Sequence, residues 1–244
     1  MTATISSHRN DRIKAVRRLQ RAKERRATGR TLLEGPHLLE LAVEAGFVPE
    51  VVFVAEGEPP PKVDAEVIVV TDPVLDVIAP TETPRGPITV IAVPEPEPLE
   101  AKATVVLWEL ATPGNVGTLI RTAAAFGWNV ACHGGADPWS PKVLRAGAGA
   151  HFAVRMSEAA DTGVLRAAGL TPVATISTGG TPPAGIDGAH PVALLIGNEA
   201  HGLPQDVIDA CESTLTIPIQ GLESLNAAVA GSIAMYALSQ LNRV

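Results

Sequence analysis

Between Leu215 and Tyr236 the chain changes period. Leu215, Ile217 and Ile219 alternate, which predicts a strand, and Gln220-Gly221-Leu222-Glu223-Ser224 forms a polar elbow. Leu225, Ala228, Val229, Ser232, Ile233, Tyr236 and Ala237 then recur at helical spacing, predicting a helix with one buried face. Ser224 stands where an N-cap belongs. Small residues from Ala227 to Ala234 invite close packing by another element or another subunit.

At the amino terminus, helical spacing of apolar residues predicts a helix over residues 9–27, with Ile13, Val16 and Leu19 on one face and Gly29 as its stop. A strand at Thr31–Glu34, a helix at Pro36–Ala45 and strands at Val51–Val54, Val67–Val70 and Ile88–Val93 follow, with a short helix at Asp72–Ile78. Pro94-Glu95-Pro96-Glu97-Pro98 cannot join a sheet and reads as a stiff linker. The domains expected are therefore 1–93, a linker at 94–101, and 102–244.

Beyond the linker, Ala103–Leu110 is a continuous apolar run, as a buried parallel strand requires. Helices at Val116–Phe126, Pro141–Ala146, Gly163–Ala168 and Pro204–Ala210 alternate with strands at Trp128–Cys132, Phe152–Val154, Thr171–Ile176 and Val192–Ile196. Such alternation predicts a second α/β domain on a mostly parallel sheet.

Composition sharpens this picture at two points. Net charge is −7, yet the first thirty residues hold ten of the nineteen Lys/Arg and only two of the twenty-six acidic residues. A basic arm on an acidic body suits a polyanionic partner, and Arg9, Arg12, Arg17, Arg18, Arg25 and Arg26 are its candidate phosphate contacts. Cys132 and Cys211 stand apart without CxxC or His-rich companions, which predicts a reduced cytoplasmic protein without a metal site. No apolar run reaches membrane-span length, and the polar start carries no signal-peptide pattern.

Candidate chemistry lies in three strand-to-helix loops. Thr112-Pro113-Gly114-Asn115-Val116-Gly117 leads into a helix carrying Arg121, six residues after Asn115. Leu195-Ile196-Gly197-Asn198-Glu199-Ala200-His201-Gly202 ends an apolar strand, where parallel sheets gather ligands. The elbow at Gln220–Ser224 is the third. Neither GxxxxGK nor GxGxxG is present, which argues against a Walker or dinucleotide fingerprint.

GNVGTLIRTAAAFG, LIGNEAHGLP and IPIQGLESLNAAVA resemble, in order, the three motifs of the SpoU/TrmH family of RNA ribose 2′-O-methyltransferases, of the SPOUT class. Ser140-Pro141-Lys142 to Arg145-Ala146 and Gly149 resembles a further segment of that family, and Lys14–Gly46 resembles the ribosomal-protein-like RNA-binding domain of many members. The resemblance implies a parallel sheet with helices on both faces and a deep trefoil knot, a homodimer, and S-adenosyl-L-methionine as cofactor. It implies Arg121, Asn115, Glu199, Ser224 and Asn226 in catalysis, and Ile196, Gly197, Asn198, Gly202, Ile217, Ile219 and Leu225 around the cofactor. It also suggests that Arg145 contacts RNA or the partner subunit. Thr112 departs from the family, which often has an acid there.

A guanidinium has no acceptor and a pKa above about 12. Arg121 is therefore expected to stabilise a developing alkoxide and a nearby RNA phosphate rather than act as a base. The expected substrate is structured RNA, ribosomal (23S) rather than transfer RNA; a non-catalytic assembly factor of the same fold is the competing class.

Overall fold

The computed structural model describes residues 4–187 and 190–241. The chain divides into two compact units, 1–95 with 139–152, and 96–138 with 153–244. The segment 139–152 leaves the second unit in mid-chain and packs in the first, whereas the sequence reading runs its second domain unbroken from 102.

In the first unit, helices α1 (Asp11–Arg18), α2 (Ala22–Thr28), α3 (Pro36–Glu44) and α4 (Asp72–Ile78) accompany strands β1 (Arg30–Glu34), β2 (Pro49–Ala55), β3 (Glu66–Val70) and β4 (Ile88–Ala92). The sheet order is β1-β4-β2-β3, with β2 and β3 parallel and β4 antiparallel to both its neighbours. Alternate residues of β2 face opposite layers. Phe53 joins Ile13, Val16, Leu19, Val74 and Ile78, whereas Val52 and Val54 pack with Leu39.

The single helix expected over 9–27 is broken into two. Leu19 turns into the core, and Gln20 and Arg21 follow through i→i−3 bonds. The carbonyls of Leu19 and Gln20 accept from the Arg25 guanidinium at 2.9 and 3.1 Å. Arg25 is only 6% exposed, so its assignment to RNA is corrected: it closes the break between α1 and α2.

Residues 139–152 contain α6, Pro141–Ala146, the helix after α5 (Pro113–Phe126) in chain order. Trp139 and Phe152 pack on Phe47, and the Trp139 carbonyl accepts from the Thr31 hydroxyl at 2.6 Å. The expected strand at Phe152–Val154 is instead a 3₁₀ turn, Ala150–Ala153, because Ala148 and Gly149 take positive φ and bend the chain before it. Strand pairing resumes later.

The second unit holds β5 (Thr104–Trp108), β6 (Asn129–His133), β7 (Met156–Glu158), β8 (Thr171–Thr175), β9 (Val192–Ile196) and β10 (Ser213–Leu215). These form an all-parallel sheet in the order β10-β8-β9-β5-β6-β7. Leu165 of α7 (Thr162–Ala167) and Val207 of α8 (Gln205–Asp209) cover one face with Val106, Ala174 and Leu195. On the other face α5 packs with α9 (Ala227–Leu241). A Cβ at Gly231 would lie 2.6 Å from Leu119 Cδ2 and 3.1 Å from Ile196 Cδ1, so glycine sets that approach.

Two expectations for the last elements change. The strand through Ile219 stops at Leu215, because Thr216 turns its hydroxyl to the Gly180 amide and the Ile176 carbonyl, and Pro218 lacks a donor. The buried face of α9 is Ala228, Gly231, Ala234, Met235 and Leu238. Val229, Ile233 and Tyr236, predicted to be buried together, are 46%, 41% and 53% exposed.

Candidate active site

The strand order places the site. From β5 the chain winds outward to β6 and β7, whereas β9 leads by α8 to β10 on the opposite flank. The loops after β5 and β9 thus part from one another, leaving the crevice at which parallel α/β sheets bind ligands.

Polar bonds cross that crevice. Glu199 accepts from the backbone amides of Ala111 and Thr112, each at 3.0 Å, and from Asn115 Nδ2 at 2.8 Å. Asn115 Oδ1 then accepts from Asn226 Nδ2 at 3.1 Å. Asn226 Oδ1 accepts from the amides of Ala228 and Val229 at 2.9 and 3.2 Å, capping α9. The direction of this chain follows from chemistry. A carboxylate only accepts, so Asn115 must offer it the NH₂ end and turn its oxygen to Asn226, which must do the same toward α9. All three sequence motifs are joined by it.

The cap of α9 is therefore Asn226. Ser224 lies outside the helix, exposed, and its hydroxyl makes no hydrogen bond among the described residues; its expected capping role is corrected.

Burial alone would raise the Glu199 carboxyl, but the donors from Ala111, Asn115 and Thr112 outweigh it and hold the pKa at about 2. At neutral pH Glu199 is a fixed anion beside the amino end of α5, a favourable place for negative charge. A carboxylate so acidic is a poor general base.

Asn198 makes a second crossing. Its Nδ2 donates to the Glu109 carbonyl at 2.8 Å, while its Oδ1 accepts from Ala200 and His201 amides at 2.9 and 3.3 Å. Asn198 and Gly202 exchange backbone bonds at 3.1 and 2.8 Å, folding the loop so tightly that a Cβ at Gly197 would lie 2.4 Å from Gly202 C. Glu109 itself has φ +51°, a left-handed conformation that costs a non-glycine residue about 1–3 kcal/mol.

Arg121 projects from the exposed side of α5 and has no ion-pair or hydrogen-bond partner among the described residues. Ile217, Ile219 and Leu225 are half-buried in the irregular segment after β10, whose peptide groups lie outside the strand ladder. Such a segment offers apolar contact and backbone hydrogen bonds to a ligand with a flat polar ring. Ile196 is buried, its side chain directed at Gly231, so only its backbone faces the loop side.

The remaining predicted contacts divide. Arg9, Arg17, Arg18 and Arg26 are exposed and unpaired among the described residues. Arg12 makes two 2.7 Å bonds to Glu66, and Arg145 stands 3.8 Å from Glu34 Oε2. No three of the described His, Cys, Asp or Glu residues are grouped as a metal would require. No helix among them is long and apolar enough to cross a membrane. Burial pushes the Cys132 thiol up to about 12 and the Cys211 thiol up to about 11, leaving both unreactive. The Glu109 conformation and the Ala111 and Thr112 amides escape sequence reasoning: the former carries no composition signal, and the latter are backbone.

Comparison with known proteins places the chain in a family. Residues 102–236 match the SpoU rRNA Methylase family, and residues 10–89 match the MRM3-like substrate binding domain. The chain is 32% identical to the 23S rRNA (guanosine(2553)-2′-O)-methyltransferase RlmP of Bacillus subtilis, over 96% of this chain and 98% of that one. The AdoMet-bound rRNA methyltransferase from Sinorhizobium meliloti superposes with a TM-score of 0.89 at 28% identity, covering 100% of this chain and 99% of that one. The SpoU methyltransferase AviRb from Streptomyces viridochromogenes, in complex with AdoMet, gives 0.86 at 27% identity, over 96% of this chain and 98% of that one. By sequence and by fold, the chain belongs to the SpoU rRNA methylase family.

Proposed function

We propose that this protein transfers a methyl group from S-adenosyl-L-methionine to a ribose 2′-hydroxyl of structured ribosomal RNA, 23S RNA in the first instance. The observation that carries the reading is the Glu199–Asn115–Asn226 chain, which joins three loops at one crevice, with Arg121 on the same helix as Asn115 and unpaired among the described residues. The cofactor fits the residues present. Ile217, Ile219 and Leu225 offer apolar contact for its adenosine and methionine parts, and the peptide groups of that segment beyond β10 offer backbone hydrogen bonds. When bound, its sulfonium supplies an already activated methyl group, so the protein must align and activate the hydroxyl.

Arg121 is the residue suited to hold negative charge as it develops on the ribose oxygen, with a donor-only guanidinium. Its long exposed side chain also suits an adjacent RNA phosphate, and that phosphate or another acceptor takes the proton. Asn115, Glu199 and Asn226 act as positioning residues, since their hydrogen-bonding groups are largely engaged by one another and by backbone. Ser224, exposed and without a partner among the described residues, is free to meet RNA. The first unit, 1–95 with 139–152, delivers the substrate through Arg9, Arg17, Arg18 and Arg26, with Arg12 and Arg145 available where RNA displaces their partners.

We infer further that two copies pair through Val229, Ile233 and Tyr236, which share one face of α9 at helical spacing and are 46%, 41% and 53% exposed. Membership of the family supports the trefoil knot that the motifs imply, with the chain after the second motif threaded through the preceding loop. Two free cysteines, Cys132 and Cys211, support a reduced cytoplasmic setting.

The test is methyl transfer by the pure protein. Total RNA from cells lacking the gene is incubated with methyl-labelled S-adenosyl-L-methionine, and the label is mapped. Label in ribosomal RNA at an alkali-resistant linkage is expected. Label on a base, label confined to transfer RNA, or no label with intact cofactor binding sinks the proposal.

A further inference from the structure

We propose that Glu109 reads the base of the nucleotide being methylated and selects guanine; the inference rests on the RNA-methylation reading above. Glu109 follows β5 at the crevice, and its φ of +51° is one that glycine takes at no cost. Its backbone is fixed from both sides. The amide donates to the His133 carbonyl at 2.7 Å, and the carbonyl accepts from Asn198 Nδ2 at 2.8 Å. Nothing in folding requires a carboxylate here: the side chain is exposed, and it has no hydrogen-bond or ion-pair partner among the described residues. Its stem lies over Gly134, where an added Cβ would stand 3.5 Å from Glu109 Cγ. Strained non-glycine residues at a ligand crevice point to a job done by the side chain.

The chemistry of that job is narrow. An unpaired carboxylate repels phosphate, so at an RNA site it must face donors on a base or ribose. Its two oxygens match two adjacent N–H groups. Guanine offers N1–H and N2–H₂ side by side. Adenine and cytosine each place one amine next to an acceptor, and the single uracil N–H lies between two carbonyls. Single-stranded and splayed-out bases present these edges to proteins. Asn198 ties the reader to the second motif, so the base would be sensed at the loop that also bonds Glu199 to α5.

The full-length protein is tested with RNA from cells lacking the gene, and the methylated ribose is mapped. A transcript of that region is then made with guanosine or inosine, which lacks the N2 amine, at the mapped position. Wild type is expected to prefer guanosine in kcat/KM by about tenfold, the discrimination typical of a good bidentate base contact. In Glu109→Gln and Glu109→Gly that preference falls below about threefold, since one acceptor or none remains. Glu109→Gly, relieved of a positive-φ side chain, should unfold at a temperature no lower than wild type, which a purely structural role for the carboxylate would not allow. A modified ribose bearing another base overturns the proposal, as does wild-type discrimination in both variants. Wild-type protein that labels no RNA overturns this inference and the RNA-methylation reading together, whereas labelled guanosine with unchanged discrimination overturns only the role of Glu109.

Discussion

Arg25 in the first unit and Arg121 in the second carry the same group to opposite ends. The Arg25 guanidinium is folded back on the carbonyls of Leu19 and Gln20, where it replaces bonds that end with α1. Arg121 stands on a helix whose neighbours satisfy one another, and among the described residues it has nothing to hold. The two units differ in the same way at large. In the first, charge is dense in sequence, but part of it is engaged in closing a helix break or pairing Glu66 and Glu34. In the second, charge is sparse: polar residues of three motifs bond one another, and Arg121, on the helix that also carries Asn115, has no partner among the described residues. A dense run of like charges therefore overstates binding capacity, since part of it is consumed within the fold.

Removing that unpaired cation should have the largest effect. Arg121→Ala is expected to lower the methyl-transfer rate by roughly 10²–10³-fold, the cost of deleting one donor to a developing oxyanion. Its unfolding midpoint should match wild type. Arg121→Lys keeps charge without the planar fork and should recover part of the rate. Near-normal turnover in both variants would remove the contrast with Arg25.

Disturbing the frame should cost stability first. Glu199→Gln leaves one acceptor where backbone and side-chain donors converge, and about 1–3 kcal/mol of stability should be lost at pH 7, read from urea unfolding. The pH dependence has a definite sign. The Glu199 carboxyl lies at about 2 in the folded protein, below its ordinary value of 4.5. Its contribution is thus complete above that ordinary value and lost as pH falls toward 2. The gap between wild type and Glu199→Gln should narrow across that window; a gap independent of pH would show that the carboxylate charge is not what binds the loops.

Much of this frame was legible before the structure, and for a physical reason. Asn115, Glu199 and Asn226 stand in three separate motifs of the sequence, and hydrogen bonds bring those three together. Parallel strands buried on both faces read directly as apolar runs, as at Val105–Trp108 and Val192–Ile196. What escaped depends on which partner a residue finds. Helical spacing in α9 fits two opposite faces, and the choice fell to Gly231 because only glycine lets Leu119 and Ile196 approach. The break at Leu19 has no proline or glycine to announce it, since the side chain of Arg25 supplies the missing bonds from six residues away. Ser224 and Asn226 are both good caps in isolation, and the amide won because it can also donate to Asn115.

The smaller effects separate the two kinds of arginine within the first unit. Arg25→Ala deprives two carbonyls of a buried donor and should cost stability by about 1–3 kcal/mol, while the salt dependence of RNA binding stays that of wild type. Replacing exposed Arg17 and Arg18 by Gln should do the reverse. The unfolding midpoint is expected to stay unchanged, and the slope of log K against log salt to fall by roughly one for each phosphate no longer neutralised. The affinity change at a single salt concentration will be modest, because each exposed charge is already screened within a Debye length of about 8–10 Å. The slope is therefore the quantity to measure. Counterion release counts phosphates one by one, whereas an affinity at one salt concentration mixes them with every other source of binding energy. A slope that falls for Arg25→Ala and not for the double variant would mean that the basic helices meet RNA through a rearranged α1–α2 junction, with Arg25 withdrawn from Leu19 and Gln20.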